Sequence, residues 1–203
     1  METLRTILKK LDAGSFDYFF KLNGNEEVMR LISGKALSRD EALQKFEQVI
    51  KINNENDDTG YFGICLKGKG DFIGYGKMVM TETDEAEIGY SFLPEYWGRG
   101  YASEISEKLV EHARNLGYIK SLIAIIDPEN TASRKILIKS GFFLEKSCII
   151  VIQAEKKSIM FPLFILPTML MELSNCLMEN IMTFNTSILL ICLRTLARPS
   201  SRF

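Results

Sequence analysis

The chain has 203 residues, which is enough for one domain with a buried core that needs neither disulfides nor a structural metal. It carries 25 basic and 26 acidic residues, a net charge of −1, so the overall charge favours neither a nucleic-acid partner nor an anionic membrane surface. The four cysteines are widely spaced, and His112 is the only histidine. We therefore predict no metal site and expect the cysteines to be buried free thiols.

The first sixty residues are predicted to contain one strand and three helices. The N-terminal segment lacks the apolar core and cleavage site of a secretory signal, so the expected compartment is the cytoplasm. Residues 3–9 alternate like a strand, Asp12 is placed to cap a short helix, and residues 25–33 predict another. Ser38 and Glu41 form a capping box for the third helix. The predicted apolar face of that helix comprises Ala42, Leu43, Phe46, Val49 and Ile50.

The middle of the chain alternates between predicted strands and helices. Residues 61–67 and 71–81 are expected to form a hairpin around two glycines. Residues 85–93 predict a further strand, and an amphipathic helix then runs to a stop at Gly117. A buried strand is expected at Ser121–Ile126. The apolar face of the strand at 85–93 comprises Ala86, Ile88, Tyr90 and Phe92.

The last elements complete a mixed layout. Asn130 is placed to cap a helix that ends near Gly141. Residues 142–153 and 158–166 are expected to form a final hairpin. The order of strands and helices predicts an α/β fold of the α+β kind, with a mixed sheet and a crossover in its second half.

The stretch YWGRGYAS at 96–103 lies between a predicted strand and a predicted helix. Two glycines at alternate positions allow the backbone to approach a ligand closely. The first amides of the following helix have no acceptor within the helix, and the helix dipole adds positive charge there, so this turn can hold a pyrophosphate. A glycine-containing turn that only caps the helix is the alternative.

A second loop supports the ligand-binding interpretation. The sequence DPEN at 127–130 follows a buried strand, and loops at this end of a strand are where α/β sheets place ligands. Ser133 and Arg134 follow in the first turn of the next helix. Asn130 as a plain helix cap is the alternative, and the two roles are compatible.

Three stretches together resemble the GNAT superfamily, the Gcn5-related N-acetyltransferases. They are FIGYGKM at 72–78, EAEIGYSFLPEYWGRGYASE at 85–104 and DPENTASRKILIKSGF at 127–142, in the order and at the separations of that family. The pattern W-G-x-G-x-A is similar to the ribosomal-protein-alanine N-acetyltransferase branch, which is RimJ/RimL-like. The resemblance implies a central, mostly antiparallel twisted sheet with a splayed parallel pair and flanking helices.

The resemblance also implies that the chain binds acetyl-CoA without a metal. Backbone groups of Phe92 and Leu93 would pair with the pantetheine arm, and a backbone amide near Leu93 would bind the carbonyl oxygen. Asn130 would contact the same arm, and Arg99 and Arg134 would lie near the phosphates. The amides expected to hold the pyrophosphate are those of Gly98, Gly100, Tyr101, Ala102 and Ser103.

For catalysis, the amine must lose a proton, and Glu87 is the candidate base because it lies mid-strand upstream of the turn. A solvent-facing strand carboxylate is the alternative. Many relatives carry a tyrosine seven residues after the asparagine, as the acid for the leaving thiolate, but this chain has Leu137 there. Ser133 matches the serine that the similar branch carries, and a plain first-turn residue is its alternative.

The predicted function is the transfer of acetyl from acetyl-CoA to a primary amine by direct attack in a ternary complex. A non-catalytic acyl-CoA-binding regulatory module is the alternative from another class. The amine is a protein N-terminus or a small molecule, and the chain is expected to be a monomer or a homodimer without nucleic-acid partners. Composition does not choose between these acceptors.

The predicted acetyltransferase domain covers residues 1–166, and residues 167–203 form an apolar tail that the resemblance does not explain. A membrane span needs ~20 mostly apolar residues, and no window of the tail is that long without a charge or an amide. A docked helix, a partner-binding segment and an altered reading frame are the three interpretations. Truncation after Leu166 is expected to leave acetyl-CoA binding intact.

Overall fold

The computed structural model of the chain describes residues 1–144 and the backbone of a strand at 191–196. The predicted hairpin at 142–153 and 158–166 lies outside these residues, apart from its first positions. None of the described helices is both long and apolar enough to cross a membrane. Cys65 is a free, partly buried thiol, and the side chains of the other cysteines lie outside the described part.

Seven strands of the described residues form one sheet. They are β1 (Thr6–Lys10), β2 (Gly60–Leu66), β3 (Phe72–Met80), β4 (Glu85–Phe92), β5 (Ser121–Ile126), β6 (Phe143–Leu144) and β7 (Ile191–Leu196). Their order is β1-β2-β3-β4-β5-β7-β6. The β4–β5 pair is parallel, and the other neighbours are antiparallel. This arrangement confirms the predicted mixed sheet and the hairpin of β2 and β3.

Five α-helices flank the sheet in the described part. They are α1 (Phe16–Asn23), α2 (Glu26–Met29), α3 (Arg39–Glu55), α4 (Tyr101–Leu116) and α5 (Thr131–Lys139). The capping box of α3 is confirmed, since Ser38 Oγ accepts the Glu41 amide and the Glu41 carboxylate accepts the Ser38 amide. The helix predicted for residues 25–33 is shorter than expected, because the Met29 carbonyl accepts the amides of residues 32–34 and closes a turn there.

The core lies mainly between the sheet and α4. Ala86 and Ile88 of β4 are almost fully buried there, against Ile105 and Leu109 of α4. The predicted apolar face of β4 is therefore confirmed. The amphipathic spacing of α4 and its stop at Gly117, which has a φ of 72°, are confirmed as well.

The opposite side of the sheet carries α1 and α3. Phe19 of α1 and Phe46 of α3 lie with their ring centroids 5.3 Å apart, and Phe19 stacks on Tyr75 of β3 at 5.8 Å. The prediction that α3 buries Leu43 is wrong, since this side chain is 45% exposed. The buried stripe instead runs along Ala42, Phe46, Val49 and Asn53. The Asn53 side chain donates to the carbonyls of Leu11 and Tyr61, which fixes α3 to the sheet.

The parallel strands β4 and β5 separate partway along their length. Their pairing covers Glu85 to Glu87 of β4 and ends where Glu87 lies opposite Ile123. β4 stays paired with β3 up to Phe92, so the gap opens only on its β5 side. The expected splayed pair is thus present, and the gap opens towards the carboxyl end of both strands, where α4 begins.

Candidate active site

The turn before α4 has the backbone shape that a phosphate-binding loop needs. Gly98 and Gly100 have φ values of 70° and 82°, in the left-handed region that favours glycine. No side chain caps α4, and its first internal bond is from the Glu104 amide to the Gly100 carbonyl, at 3.2 Å. The amides of residues 101–103 are therefore unused within the helix, and the helix dipole reinforces them. A turn of this kind can bind an anion.

Arg5, directly before β1, supports the same turn and was not found from the sequence. Its Nη1 donates to the Arg99 carbonyl at 2.9 Å, and its guanidinium lies 4.2 Å from the centroid of the Tyr101 ring. The Arg99 side chain itself lies over the ring of Tyr96, 5.8 Å from the centroid. Arg5 is remote in sequence from the motif, so only the folded chain places it here.

The backbone of β4 presents polar groups to the gap. The backbone groups of Glu85 and Leu93 point towards the β3 side. The Glu85 carbonyl accepts a hydrogen bond from the Thr81 amide, and the Leu93 amide donates one to the Ile73 carbonyl. Because adjacent residues of a strand alternate, Tyr90 and Phe92 turn their backbone groups towards β5. These groups lie where the two strands have separated, so they are placed to pair with an extended ligand.

The backbone groups of Phe92 and Leu93 already make contacts within the protein. The Leu93 amide donates to the Ile73 carbonyl, and the Leu93 carbonyl accepts the Tyr96 amide, so the expected ligand contacts of Leu93 stay a prediction. The Phe92 carbonyl accepts the Trp97 indole N–H at 2.7 Å, which leaves the Phe92 amide. The alternation of β4 therefore turns the backbone of Tyr90 and the Phe92 amide towards the gap.

Glu87 lies on the other face of β4 and forms an ion pair. Its Oε1 is 2.7 Å from Nζ of Lys77 on β3, and both side chains are largely buried. Burial works to lower the pKa of Lys77, but the Glu87 carboxylate beside it outweighs that effect and holds the pKa above its ordinary value. The candidate base thus has a cationic partner on the adjacent strand, which the sequence did not reveal.

The loop after β5 holds the remaining candidates. Oδ1 of Asn130 accepts the Ser133 amide at 3.0 Å and caps α5, so the capping interpretation is confirmed. The Nδ2 group of Asn130 has no partner in the described part of the chain and is available to a ligand. Leu137, where many relatives have a tyrosine, is 2% exposed and belongs to the core. Arg134 lies in the first turn of the same helix, as expected.

A tyrosine that the sequence had placed only on an apolar face has an unusual environment. The Tyr90 hydroxyl is buried, and no hydrogen bond of good geometry reaches it from the described residues. Burial raises the pKa of Tyr90 to about 12, and the nearby Ser133 side chain moderates the increase. This part of the chain contains no group of His, Cys, Asp and Glu side chains arranged to hold a metal ion.

Comparison with known proteins identifies the class. The family model described as "Acetyltransferase (GNAT) domain" matches residues 4–143, which is more than half of the chain. The chain therefore belongs to the GNAT acetyltransferase family. The expected superfamily is confirmed, and so are the mixed fold and the acetyl-CoA-dependent acetyltransferase activity.

Individual relatives agree with this assignment. The chain is 28% identical over 145 residues to "Uncharacterized N-acetyltransferase YoaA" of Bacillus subtilis (strain 168), an alignment that covers 70% of this chain and 81% of that protein. A spermidine N-acetyltransferase from Vibrio cholerae, solved with CoA and spermine, aligns with a TM-score of 0.65 at 13% identity, covering 95% of each chain. RimL, an L7/L12 α-N-protein acetyltransferase solved with coenzyme A, aligns at 0.62 and 18% identity, covering 71% of this chain and 83% of that one. The two structures are similar to this chain in fold.

Proposed function

We propose that the protein transfers the acetyl group of acetyl-CoA to a primary amine by direct attack in a ternary complex. One observation carries this proposal: the β4–β5 gap leads directly to the turn of left-handed glycines before α4. A gap lined by backbone groups suits the amide-rich pantetheine arm, and unused helix amides suit its pyrophosphate. The two features share one edge of the sheet, as a single long ligand requires.

The donor side is assigned to backbone groups and a few side chains. The amides of Gly98, Gly100, Tyr101, Ala102 and Ser103 hold the pyrophosphate in this proposal. Nδ2 of Asn130 and the Phe92 amide hold the pantetheine arm, and the backbone amide of Tyr90, which is farther from the pyrophosphate, faces the carbonyl oxygen. Arg99 and Arg134 add positive charge near the phosphates. Acetyl-CoA supplies the activated carbonyl and the thiol leaving group.

The acceptor side lies on the opposite face of β4. Tyr61 and Tyr75 lie there with ring centroids 6.1 Å apart, beside the Lys77–Glu87 pair. Glu87 accepts the proton of the attacking amine, directly or through water, and Ser133 assists departure of the thiolate. Lys77 forms an ion pair with the same carboxylate and holds it in place on this face of the sheet.

The acceptor is a protein N-terminus or a small-molecule amine. The W-G-x-G-x-A pattern and Ser133 favour the ribosomal-protein branch, and the fold is also shared with a polyamine acetyltransferase. We propose a cytoplasmic protein that acts as a monomer or homodimer, with acetyl-CoA and an amine as its partners.

The test is release of coenzyme A thiol in the presence of a panel of amines. The panel contains a peptide with a free α-amine, the same peptide with a blocked N-terminus, spermidine and an aminosugar. Amine-dependent thiol release above the rate of uncatalysed hydrolysis supports the proposal.

One contact favours the second candidate function, a non-catalytic acyl-CoA-binding module. The Lys77 ammonium already occupies Oε1 of Glu87, which is the arrangement expected of a structural ion pair. Acetyl-CoA binding without thiol release for any amine of the panel would favour a regulatory acyl-CoA-binding module. Absence of acetyl-CoA binding would contradict both functions.

A further inference from the structure

The Tyr90 hydroxyl is the only buried side-chain oxygen or nitrogen in the described residues that no hydrogen bond of good geometry reaches, although the Ser133 side chain lies near it. An unpaired buried hydroxyl costs on the order of 1–3 kcal/mol, so nearly all such groups in native proteins are paired. A group of this kind in a stable fold calls for a partner that binds later. The hydroxyl therefore marks a place where a ligand atom is expected.

The position of Tyr90 tells which ligand atom this is. Tyr90 lies in β4 three residues beyond Glu87, where pairing with β5 has ended, so its backbone borders the gap. Its side chain is on the face of β4 opposite Glu87 and close to Ser133, in the first turn of α5. If the pantetheine arm lies in the gap with Glu87 at the acceptor side, its sulfur end is the part that reaches Tyr90.

The protonation state of Tyr90 suits a hydrogen-bond donor. Because burial raises its pKa to about 12, the phenol stays neutral and keeps its proton at physiological pH. A coenzyme A thiolate is an acceptor, and hydrogen bonds to charged acceptors are about twice as strong as neutral ones. The pair is complementary in charge and in hydrogen-bonding role.

We propose that the Tyr90 hydroxyl donates a hydrogen bond to the sulfur of coenzyme A and stabilises the thiolate as it leaves. This inference rests on the proposed function. It gives the chain a thiolate partner although Leu137 replaces the helix tyrosine, and the Ser133 side chain lies close to the same hydroxyl.

The step balances without transfer of the Tyr90 proton. The bond from the amine nitrogen to the acetyl carbon forms, the bond from that carbon to sulfur breaks, and the electron pair goes to sulfur. The amine loses one proton to Glu87 or to water. Tyr90 keeps its own proton throughout, and the thiolate takes up a proton from water after release.

The experiment measures the ionisation of bound coenzyme A directly, through the ultraviolet absorbance of the thiolate. Wild-type protein and Tyr90→Phe are each saturated with coenzyme A and titrated up to about pH 10, below the pKa of the buried tyrosines. The matched control is Tyr118→Phe, since Tyr118 is 38% exposed and lies beyond the end of α4. Desulfo-coenzyme A, which lacks the sulfur, reports binding that does not involve the thiolate.

In wild-type protein and in Tyr118→Phe, the bound thiol should ionise at a lower pH than free coenzyme A. In Tyr90→Phe the midpoint should rise by about one pH unit, the size expected for loss of one hydrogen bond to a charged group. Affinity for desulfo-coenzyme A should be unchanged. Identical thiol midpoints in wild type and Tyr90→Phe would overturn the inference.

A thermal melt without ligand separates this role from a structural one. Tyr90→Phe removes an unpaired buried hydroxyl, so its melting temperature should equal or exceed that of the wild type. A clear decrease, or failure to fold, would mean that the hydroxyl already has a structural partner, and the inference would fail. If the wild type does not bind desulfo-coenzyme A at all, that result would instead contradict the proposed function.

Discussion

Arg5 and Glu104 are joined by two hydrogen bonds, although they lie 99 residues apart in the sequence. The Arg5 amide donates to Oε1 of Glu104 at 2.9 Å, and its Nε donates to Oε2 at 2.7 Å. Burial works to raise the pKa of Glu104, but hydrogen bonds from Thr3 and Arg5 outweigh it and hold the pKa below its ordinary value. The carboxylate thus stays charged in the first turn of α4, and Arg5 neutralises it beside the proposed pyrophosphate site.

Arg5→Lys should weaken acetyl-CoA binding by roughly tenfold, because lysine keeps the charge but cannot hold Glu104 and the Arg99 carbonyl at once. Isothermal titration calorimetry measures this change. The matched control is Arg39→Lys, which alters a surface pair with Asp17 at 3.0 Å and should leave the affinity unchanged. Equal affinities for the two variants would show that Arg5 does not position the turn.

Gly100→Ala should bind acetyl-CoA much more weakly while it remains folded. An added Cβ meets only the Arg5 Nη2, at 3.5 Å, so the free protein accommodates it at the cost of a strained left-handed φ, roughly 1–2 kcal/mol. The control is Gly68→Ala, which has a φ of 85° and an open Cβ position in the β2–β3 turn. Thermal melts should show similar losses for both variants, and calorimetry should show weaker binding only for Gly100→Ala. Weaker binding by both would point to general destabilisation.

Glu87→Gln should reduce turnover at neutral pH by ~10²–10⁴-fold, the usual contribution of a positioned base. The deficit should shrink at high pH, where the amine is already neutral. Thiol release measured from pH 6 to 10 gives the profile, with the exposed turn residue changed in Glu82→Gln as the control. A wild-type rate at every pH would make the Lys77–Glu87 pair purely structural.

Alkaline stability should depend on Tyr75, because burial, together with the neighbouring Tyr61, raises the pKa of Tyr75 to about 12. Between pH 10 and 12 the unfolded chain releases this proton while the folded chain keeps it, so folding stability falls as pH rises, by on the order of 2 kcal/mol. Denaturant melts at pH 9 and 11 should show a smaller loss for Tyr75→Phe than for the wild type. Tyr118→Phe should lose as much as the wild type, and an equal loss in all three proteins would contradict the prediction.

The boundary at Leu166 stays a prediction, and β7 makes it testable. β7 pairs with every residue of β5, from Ser121 to Ile126. Truncation after Leu166 should keep acetyl-CoA binding, because the proposed site residues lie upstream, but should lower the melting temperature through loss of this pairing. Truncation after Leu196 retains β7 and serves as the control. If the chain truncated after Leu166 no longer binds acetyl-CoA, the tail belongs to the functional domain.

Local chemistry explains which features the sequence predicts. The capping box of α3, the stop at Gly117 and the alternation of β4 depend on residues a few positions apart, and all three agree with the structure. The Lys77–Glu87 pair depends instead on the register of two strands, and the Arg5 contacts depend on where β1 lies in the sheet. The sequence predicts Tyr90 only as part of an apolar face, because its ring fits the buried side of a strand. The environment of its hydroxyl depends on the fold.

The separation of β4 and β5 has a consequence for how this enzyme can evolve. In the proposed site the pantetheine arm is held by main-chain groups, which every residue type supplies, so binding of the cosubstrate depends little on side-chain chemistry along the gap, with Tyr90 as the exception. The proposed acceptor side is built from side chains on the other face of the sheet, around Lys77 of β3 and Glu87 of β4. Selection can therefore exchange one amine for another by altering that face, while the chemistry of acetyl donation is inherited unchanged.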